Sequence, residues 1–137
     1  MTRPVLVERL ATHRDPRGSV TEPLRPEEFS AQRNAHVVLT EPGCIRGNHY
    51  HVRGTEILTV YGPALVRIRE AGEDRDTTVP EGEAYRFTLP PGVPHAILNT
   101  GRAPILMVAF NTEPHDPAAP DVVREVLIET ATAAGAG

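Results

Sequence analysis

The chain has 137 residues, a length that holds one domain of ordinary size and leaves no room for two independent cores. Its 18 acidic and 14 basic residues give a formal charge of −4, which argues against a dedicated nucleic-acid binder, because such a protein carries a basic face. No apolar run is long enough to span a bilayer, and residues 1–8 lack the apolar core of an export signal. We therefore expect a cytoplasmic protein with neither nucleic-acid nor membrane partners, and the single cysteine, Cys44, excludes an intrachain disulfide.

Short segments rich in aliphatic and β-branched residues follow one another along the chain, each bounded by Gly, Pro, Asn or Asp. In chain order, the predicted strands are residues 5–10, 36–39, 56–61, 64–69, 76–79, 84–89, 95–98, 105–110 and 122–129. Residues 26–31 form a helical candidate of one or two turns, with Pro26 suited to the first helical position. Regularly spaced short strands with turn signals predict an all-β sandwich or barrel.

Proline and glycine place turns between several predicted strands. Tyr61-Gly62-Pro63 separates two strands that would otherwise join as a hairpin, and residues 80–82 do the same later in the chain. Residues 90–92, Pro-Pro-Gly, form a stiff entry into the next strand. Because no linker divides the chain, we predict one domain over residues 1–130 with an N-terminal strand extension, and a disordered tail over residues 131–137.

A histidine-rich segment carries the chemistry that the sequence indicates most strongly. His49 and His51 are two residues apart, so on a strand their imidazoles point to the same face. Glu56 begins the next predicted strand and brings a carboxylate back beside them, while His95 supplies a third imidazole after a rigid turn. Three imidazoles and one carboxylate suit one divalent transition metal ion, with zinc foremost and iron, manganese, nickel or copper as alternatives.

The spacing of these residues resembles the two motifs of the cupin superfamily. The first motif runs Gly, five residues, His-x-His, a short spacer and Glu, and it is matched by residues 43–56. The second motif, Pro-x-Gly-x-x-His-x-x-x-Asn, is matched by residues 90–99. The spacers to Gly62 and Pro90 differ from the family pattern, but they lie in turns and not among the ligands. The resemblance implies an all-β cupin double-stranded β-helix, or jelly roll, with the metal inside the barrel and a homodimer as the usual assembly.

A narrower resemblance extends over residues 35–128. Residues 46–51, Arg-Gly-Asn-His-Tyr-His, are similar to the metal-binding cupin domain at the C-terminus of bifunctional capsular polysaccharide enzymes, and residues 110–117 resemble the ending of that domain. Those enzymes join a reductase to a cupin that epimerises C3 of a UDP-linked 4-keto sugar. The resemblance implies a metal-dependent epimerase or isomerase of a nucleotide-linked 4-keto sugar, in polysaccharide or glycosylated-metabolite biosynthesis. It also implies a separate reductase partner, because the sequence lacks a reductase half.

Two other groups of sugar-nucleotide cupins share part of the pattern. dTDP-rhamnose 3,5-epimerases carry Arg-Gly-x-His and sugar 3,4-ketoisomerases carry Arg-Gly-x-His-x-His. Both also have an early Asp-x-Arg-Gly, matched here by residues 15–18. In the epimerases these two arginines lie near the nucleotide phosphates, so the resemblance implies that Arg17 and Arg46 bind substrate, as forked guanidinium groups suit phosphate. The epimerases use the histidine that matches His49 as a base, but the complete cupin ligand set favours a metal ligand here.

Removing a proton next to a ketone requires a general base, and restoring it requires a general acid. The candidates are the three tyrosines and one strand histidine: Tyr50, Tyr61, Tyr85 and His36. Strand parity turns Tyr61 away from the face that carries Glu56, and it turns Tyr50 away from the two neighbouring histidines. Tyr85 and His36 therefore remain the catalytic candidates.

Several further polar residues have both a plain and a functional interpretation. Arg67 alternates with apolar residues on a predicted strand, where it is either an exposed charge or a third substrate-binding arginine. His13 and His115 lie among Pro, Asp and Arg, and we expect them to be solvated. We expect Cys44 to be a small core residue, and Asn99 to fix a turn.

Two other functions fit the same ligand set. An iron ion with open positions could activate oxygen, which would make the protein a cupin dioxygenase. A non-catalytic module that binds a small ligand or regulates a partner needs no reaction at all. The arginines predicted around the pocket favour a small-molecule substrate that is a nucleotide sugar over both alternatives.

Overall fold

The computed structural model describes residues 3–129, which form twelve strands and one 3-10 helix. The helix spans Pro26–Ala31, as predicted. In chain order, the strands are β1 (Leu6–Arg9), β2 (Thr12–Asp15), β3 (Gly18–Thr21), β4 (Asn34–Thr40), β5 (Ile45–His51), β6 (Glu56–Tyr61), β7 (Ala64–Glu70), β8 (Glu73–Val79), β9 (Ala84–Leu89), β10 (His95–Asn99), β11 (Ile105–Asn111) and β12 (Val122–Arg124). The predicted tail over residues 131–137 lies outside the described residues, and the single-domain boundary at residue 130 stays a prediction.

Ten of the strands build two facing antiparallel sheets. The first sheet has the order β1-β9-β6-β11-β4, and the second has the order β12-β5-β10-β7-β8. Strands β2 and β3 form a separate hairpin. From β4 to β12 successive strands alternate between the two sheets, except that β7 and β8 form a hairpin within the second sheet. This is the jelly roll that the sequence predicts, and the all-β fold class is confirmed.

The core lies between the two sheets because alternate residues of each strand point inward. Leu58 and Val60 of β6 face the interior beside Phe87 of β9, and Val66 and Ile68 of β7 face them from the second sheet. All five side chains are at least 97% buried, with exposures between 0% and 3%. Each such side chain contributes about 1.5–3 kcal/mol by leaving water, so the aliphatic core supplies the main stabilisation.

The two Pro-Gly turns carry the chain from one sheet to the other. Gly62 separates β6 from β7, and a Cβ atom there would lie 2.1 Å from the carbonyl oxygen of Pro80. The turn at residues 80–82 therefore packs directly against the turn at Gly62, and only glycine fits at this contact. The predicted positions of both turns are confirmed, and Asn99 fixes a turn as predicted, with its Oδ1 atom accepting a hydrogen bond of 2.8 Å from the backbone N–H of Gly101.

Sequence reasoning missed the hairpin of β2 and β3 and overextended the last strand. β2 reads Thr-His-Arg-Asp and β3 reads Gly-Ser-Val-Thr, so neither shows the apolar alternation by which strands are recognised. The last strand ends at Arg124 instead of residue 129, because the chain leaves the sheet edge there. Cys44 is exposed, and the prediction that it belongs to the core was wrong.

Candidate metal centre and cavity

The four residues expected to bind a metal converge at one end of the barrel. His49 and His51 come from β5, Glu56 from the start of β6 and His95 from the start of β10. One ligand atom from each residue lies within 4.8 Å of the others. Glu56 and His95 are buried, with exposures of 8% and 1%, whereas the two β5 histidines are half-buried. The structure thus brings together residues that are 46 positions apart in the sequence, from His49 to His95.

A bulge in β5 sets the position of His49. His95 pairs with His49, but the next residue, Ala96, pairs with Gly47, so Asn48 is the extra residue. Gly47 and Asn48 both have positive φ angles, 84° and 57°. A Cβ atom on Gly47 would lie 2.7 Å from the carbonyl oxygen of His95, so the β10 backbone can pass only because residue 47 is glycine.

The side chain of Asn48 fastens the C-terminal segment across the back of the site. Its Oδ1 atom accepts hydrogen bonds from the backbone N–H groups of Leu127 and Ile128, at 2.9 and 3.1 Å. Its Nδ2 atom donates to the carbonyl oxygen of Ile128 at 3.0 Å. Because asparagine tolerates the left-handed conformation and offers both a donor and an acceptor, it suits this position.

Hydrogen bonds inside the cluster hold Glu56 in its ionised form. Its Oε2 atom lies 2.5 Å from Nε2 of His51 and 3.5 Å from Nε2 of His95. Burial alone would raise the pKa of the Glu56 carboxyl, but the hydrogen bonds and the charges of the two imidazoles outweigh it and bring the pKa below its ordinary value. On its other side, Nδ1 of His95 lies 3.0 Å from the carbonyl oxygen of Val93, which fixes the ring orientation.

Burial keeps His49 neutral. Burial and the neighbouring imidazoles of His95 and His51 lower the pKa of His49 from 6.5 to about 4. Metal ions bind the neutral form of imidazole and the ionised form of a carboxyl group, so His49 and Glu56 are both in the form that a metal requires. Outside the cluster, an Asp121 carboxylate oxygen lies 3.9 Å from Nδ1 of His51, the nitrogen that faces away from Glu56.

The cluster fits one divalent metal ion. With metal–ligand bonds of about 2.0–2.2 Å, two ligand atoms of one ion stand at most about 4.0–4.4 Å apart, which is close to the 4.8 Å within which the four ligand atoms lie. Three nitrogen donors and one oxygen donor also match the preferences of zinc and of the neighbouring first-row metals. The site is therefore able to bind a metal ion, as the sequence predicts.

The cluster lines a cavity of about 340 Å³ that lies inside one end of the barrel. Two of the other predicted site residues are in its wall, His36 on β4 and Arg46 on β5. Arg46 donates hydrogen bonds to the carbonyl oxygen of Leu39 at 2.9 Å and to Oγ1 of Thr40 at 3.4 Å. These contacts hold the guanidinium group at the cavity wall.

Three other predicted site residues do not line this cavity. Tyr85 packs against the core beside Phe87, with ring centroids 6.5 Å apart, and it is not among the residues that line the cavity. Arg67 points away from the barrel interior and binds Asp76 through two hydrogen bonds of 2.7 and 3.0 Å. Arg17 is at the tip of the β2–β3 hairpin, where its side chain is 91% exposed and paired with Asp15.

Sequence reasoning missed a polar loop, residues 112–121, that forms part of the cavity wall. The loop contributes Glu113, His115, Asp116 and Asp121 to the lining. Arg53 pairs with two of these carboxylates, at 2.9 Å from Glu113 and 3.5 Å from Asp121. The resemblance of residues 110–117 to the end of a cupin domain was the available signal, but an irregular loop has no periodicity that would orient its side chains.

Comparison with known proteins identifies the family. The model of the polysaccharide biosynthesis C-terminal domain matches residues 13–123. The chain belongs to this family. Among solved structures, this family member is similar to the capsular polysaccharide assembling protein CapF from Staphylococcus aureus, with 27% sequence identity and a TM-score of 0.64. The match covers 86% of this chain and 34% of CapF, so the chain spans about a third of the length of that protein. The predicted cupin resemblance is confirmed.

Two more distant structures share the fold. A dTDP sugar isomerase from Desulfovibrio desulfuricans G20 has 19% identity and a TM-score of 0.73, and the match covers 90% of this chain and 84% of that one. A variant of the 3,4-ketoisomerase QdtA from Thermoanaerobacterium thermosaccharolyticum, in complex with TDP-4-keto-6-deoxyglucose, has 15% identity and a TM-score of 0.68, with coverage of 91% and 90%. A comparison with curated protein sequences found no match. Within residues 3–129, no helix has the length and apolar character needed to cross a bilayer.

Proposed function

We propose that this family member is a metal-dependent epimerase or isomerase of a nucleotide-linked 4-keto sugar, in polysaccharide or glycosylated-metabolite biosynthesis. One observation carries the proposal, namely that the cluster of His49, His51, Glu56 and His95 lies in the wall of the same cavity as Arg46. The family and the similarity to CapF support a role in polysaccharide synthesis. Two fold relatives whose names include sugar isomerisation support the reaction class.

The cofactor in this proposal is one divalent transition metal ion held by His49, His51, Glu56 and His95, with zinc foremost. Such an ion supplies a Lewis acid, which polarises a ketone and stabilises the negative charge that develops on its oxygen. Because Glu56 is bound between two imidazoles, its carboxylate is a ligand and not a free base. The acid and base of the reaction must therefore come from other residues of the cavity.

The proton transfer in this proposal uses His36 at the cavity wall. A neutral imidazole removes the proton from the carbon next to the ketone, which breaks a C–H bond and leaves an enolate with its charge on oxygen. A protonated group then returns a proton to the carbon. The product is the epimer when this proton reaches the face opposite the one from which the first proton was removed. Of the two catalytic candidates from the sequence, His36 takes this role, because Tyr85 packs against the core and does not line the cavity.

Arg46 is the proposed contact for the substrate diphosphate. Its guanidinium group lies at the cavity wall. Arg46 is also the arginine of the Arg-Gly-x-His pattern. The carboxylates of Glu113 and Asp121, which would repel a diphosphate, are paired with Arg53. A forked guanidinium group binds phosphate oxygens through two parallel hydrogen bonds, which suits this task.

The homodimer in this proposal uses the outer face of the first sheet near its edge strand β4. Because His36 and Val38 point toward the cavity and the core, Val37 and Leu39 point outward. Val37 is 73% exposed and Leu39 is 61% exposed, and the two lie two residues apart on one face of β4. Contiguous exposed apolar side chains mark an interaction surface, and a second copy of the chain would cover them. The separate reductase partner that the sequence resemblance implies belongs to the same proposal, and it would act on the keto-sugar product.

Hydrogen exchange at the sugar tests the proposed reaction. The purified protein is incubated with UDP- or dTDP-4-keto-6-deoxyglucose in heavy water, and the C3 and C5 proton signals are followed by NMR. We expect loss of the C3 signal, with or without the C5 signal, and no consumption of oxygen. Absence of exchange with both substrates would contradict the proposal, and oxygen uptake with a redox-active iron would favour a dioxygenase instead.

A further inference from the structure

We propose that His115 is a second catalytic residue of this site and forms a proton-transfer pair with His36. The inference rests on the proposed epimerase or isomerase function and adds to it a residue that the sequence patterns did not single out. Two imidazoles on one cavity wall allow one ring to take a proton from the substrate while the other returns one.

The two rings are neighbours on the wall of the cavity that contains the ligand cluster. Their centroids are 6.2 Å apart and their planes are at 90°. His36 belongs to β4 and pairs with Ala109 of β11, whereas His115 belongs to the loop that follows β11. Both side chains are exposed, so substrate and solvent reach them. This separation leaves room for a hydrogen bond or a single bridging water between the rings.

The loop that carries His115 is fastened to the turn between two of the metal-ligand residues. Residues 52–55 connect His51 to Glu56, and Thr55 exchanges two hydrogen bonds with Thr112, at 3.0 and 3.2 Å. On the far side of the loop, Asp121 accepts hydrogen bonds from the backbone N–H groups of Arg53 and Gly54, at 2.8 and 2.9 Å. Both ends of the loop are therefore tied to the element that positions the ligands.

Most of the other ionisable groups in the cavity wall already have partners. Four of them form the ligand cluster. Glu113 and Asp121 pair with Arg53, and Asp116 accepts a hydrogen bond of 3.0 Å from the backbone N–H of Ala118. The cavity lining includes no tyrosine among the described residues. His36 and His115 are thus the two imidazoles of the wall that lie outside the cluster, and imidazole is the side chain that exchanges protons most readily near neutral pH.

The two rings together neither gain nor lose a proton over one turnover. The neutral ring forms an N–H bond as the substrate C–H bond breaks, and the electron pair of that bond forms a C=C bond while the carbonyl becomes an enolate. The protonated ring then gives its proton to the opposite face of that carbon, so that the C=C electron pair forms the new C–H bond and the C=O bond re-forms in the epimer. One ring has gained a proton and the other has lost one, so transfer between the adjacent rings restores the starting state.

Single substitutions of His115 test the pair in the hydrogen-exchange assay with UDP- and dTDP-4-keto-6-deoxyglucose. We expect His115→Ala to slow exchange by about 100-fold or more, the usual contribution of a positioned acid or base. His115→Gln should be equally slow, because it keeps the polarity of the side chain but cannot take up a proton. His13→Ala is the matched control, since His13 is an exposed histidine of the β2–β3 hairpin outside the cavity, and it should retain the wild-type rate.

Chemical rescue separates catalysis from loop structure. Free imidazole added to His115→Ala should restore part of the rate, because the cavity mouth is open to solvent, and the metal content should equal that of the wild type. Wild-type rates in His115→Ala or His115→Gln would overturn the inference while leaving the proposed function intact. A slow variant without rescue and with lost metal would also overturn it, because the residue would then act on structure alone. Absence of exchange in the wild type would instead contradict the proposed function, and the pair with it.

Discussion

His49 lies directly opposite His95 across the ladder of β5 and β10, with the two ring centroids 4.9 Å apart. This pairing joins the two halves of the ligand set, which are remote in the sequence. It depends on the bulge at Gly47 and Asn48. The extra residue, Asn48, shifts the register of β5 against β10 between Gly47 and His49. The geometry of the candidate metal centre is therefore set by backbone conformation before any ion binds.

Replacing Gly47 with alanine should disturb this geometry more than the same change at Gly43. Both glycines have positive φ angles, 84° and 74°, so both variants carry the same kind of backbone strain, about 1–3 kcal/mol. Only at Gly47 would the new Cβ meet another backbone, that of His95, whereas nothing lies within 4 Å at Gly43. Urea unfolding should show a larger stability loss for Gly47→Ala, and its metal content should fall while that of Gly43→Ala does not. Equal effects would contradict the role assigned to the bulge.

The two arginines Arg46 and Arg67 should behave differently in kinetics. Arg46→Ala removes a guanidinium group from the cavity wall, and we expect KM for the nucleotide sugar to rise about 10-fold or more, the usual effect of losing a hydrogen bond to a charged group. Arg67→Ala removes an ion pair with Asp76 outside the barrel, and KM should be unchanged. Steady-state kinetic measurements on both variants check this prediction. A raised KM for Arg67→Ala would show that Arg67 contacts the substrate.

Metal binding should release protons, and increasingly so toward acidic pH. Burial alone would lower the pKa of His95, but its hydrogen bond to Glu56 and the charge of that carboxylate raise the pKa above its ordinary value of 6.5. The metal-free protein therefore still holds a proton on His95 near pH 6.5, and a metal ion must displace it. His49, with a pKa of about 4, carries no proton in this range and releases none.

Calorimetric zinc titrations in buffers of different ionisation enthalpy count these protons. We expect the number released per ion to fall as the pH rises from 6 to 8, and the affinity to increase over the same interval. A proton count and an affinity that do not depend on pH would show that the ion binds elsewhere.

The convergence of the four predicted ligand residues could be foreseen because it rests on strand parity and spacing. His49 and His51 share a face since they are two residues apart, and the turn before Glu56 is short enough to return the chain to the same end of the barrel. Parity gives the face of a residue, however, and not its height along the barrel. Tyr85 shows this limit, because it lies on the inner face but four residues from Leu89, the partner of Glu56.

The remaining site residues could not be placed by pattern. Arg67 alternates with buried residues, which correctly puts it on the opposite face, but the pattern does not reveal that Asp76 neutralises it there. His115 belongs to a loop without periodicity, and only the packing of that loop against residues 52–55 brings it to the cavity. Loops often carry functional residues, but they have no periodicity from which the direction of a side chain could be predicted. The proximity of His36 and His115 could therefore be found only from the structure.

A charge placed on the exposed apolar surface should disrupt the proposed homodimer. Val37→Lys introduces an ammonium group at a side chain that is 73% exposed, and sedimentation analysis should show a monomer where the wild type is a dimer. Val123→Lys is the matched control, because Val123 is 39% exposed but belongs to the second sheet, and it should remain dimeric. A monomeric wild type, or a dimeric Val37→Lys, would contradict the proposed interface.

The metal content of the purified protein tests the central claim most directly, namely that three imidazoles and one carboxylate bind a single ion. Elemental analysis of the wild type should find about one divalent transition metal ion per chain. His95→Ala and Glu56→Gln should lose most of it, while the exposed-histidine control His13→Ala should retain it. A wild type without a transition metal after loading, or a His95→Ala variant with the full wild-type content, would contradict the account.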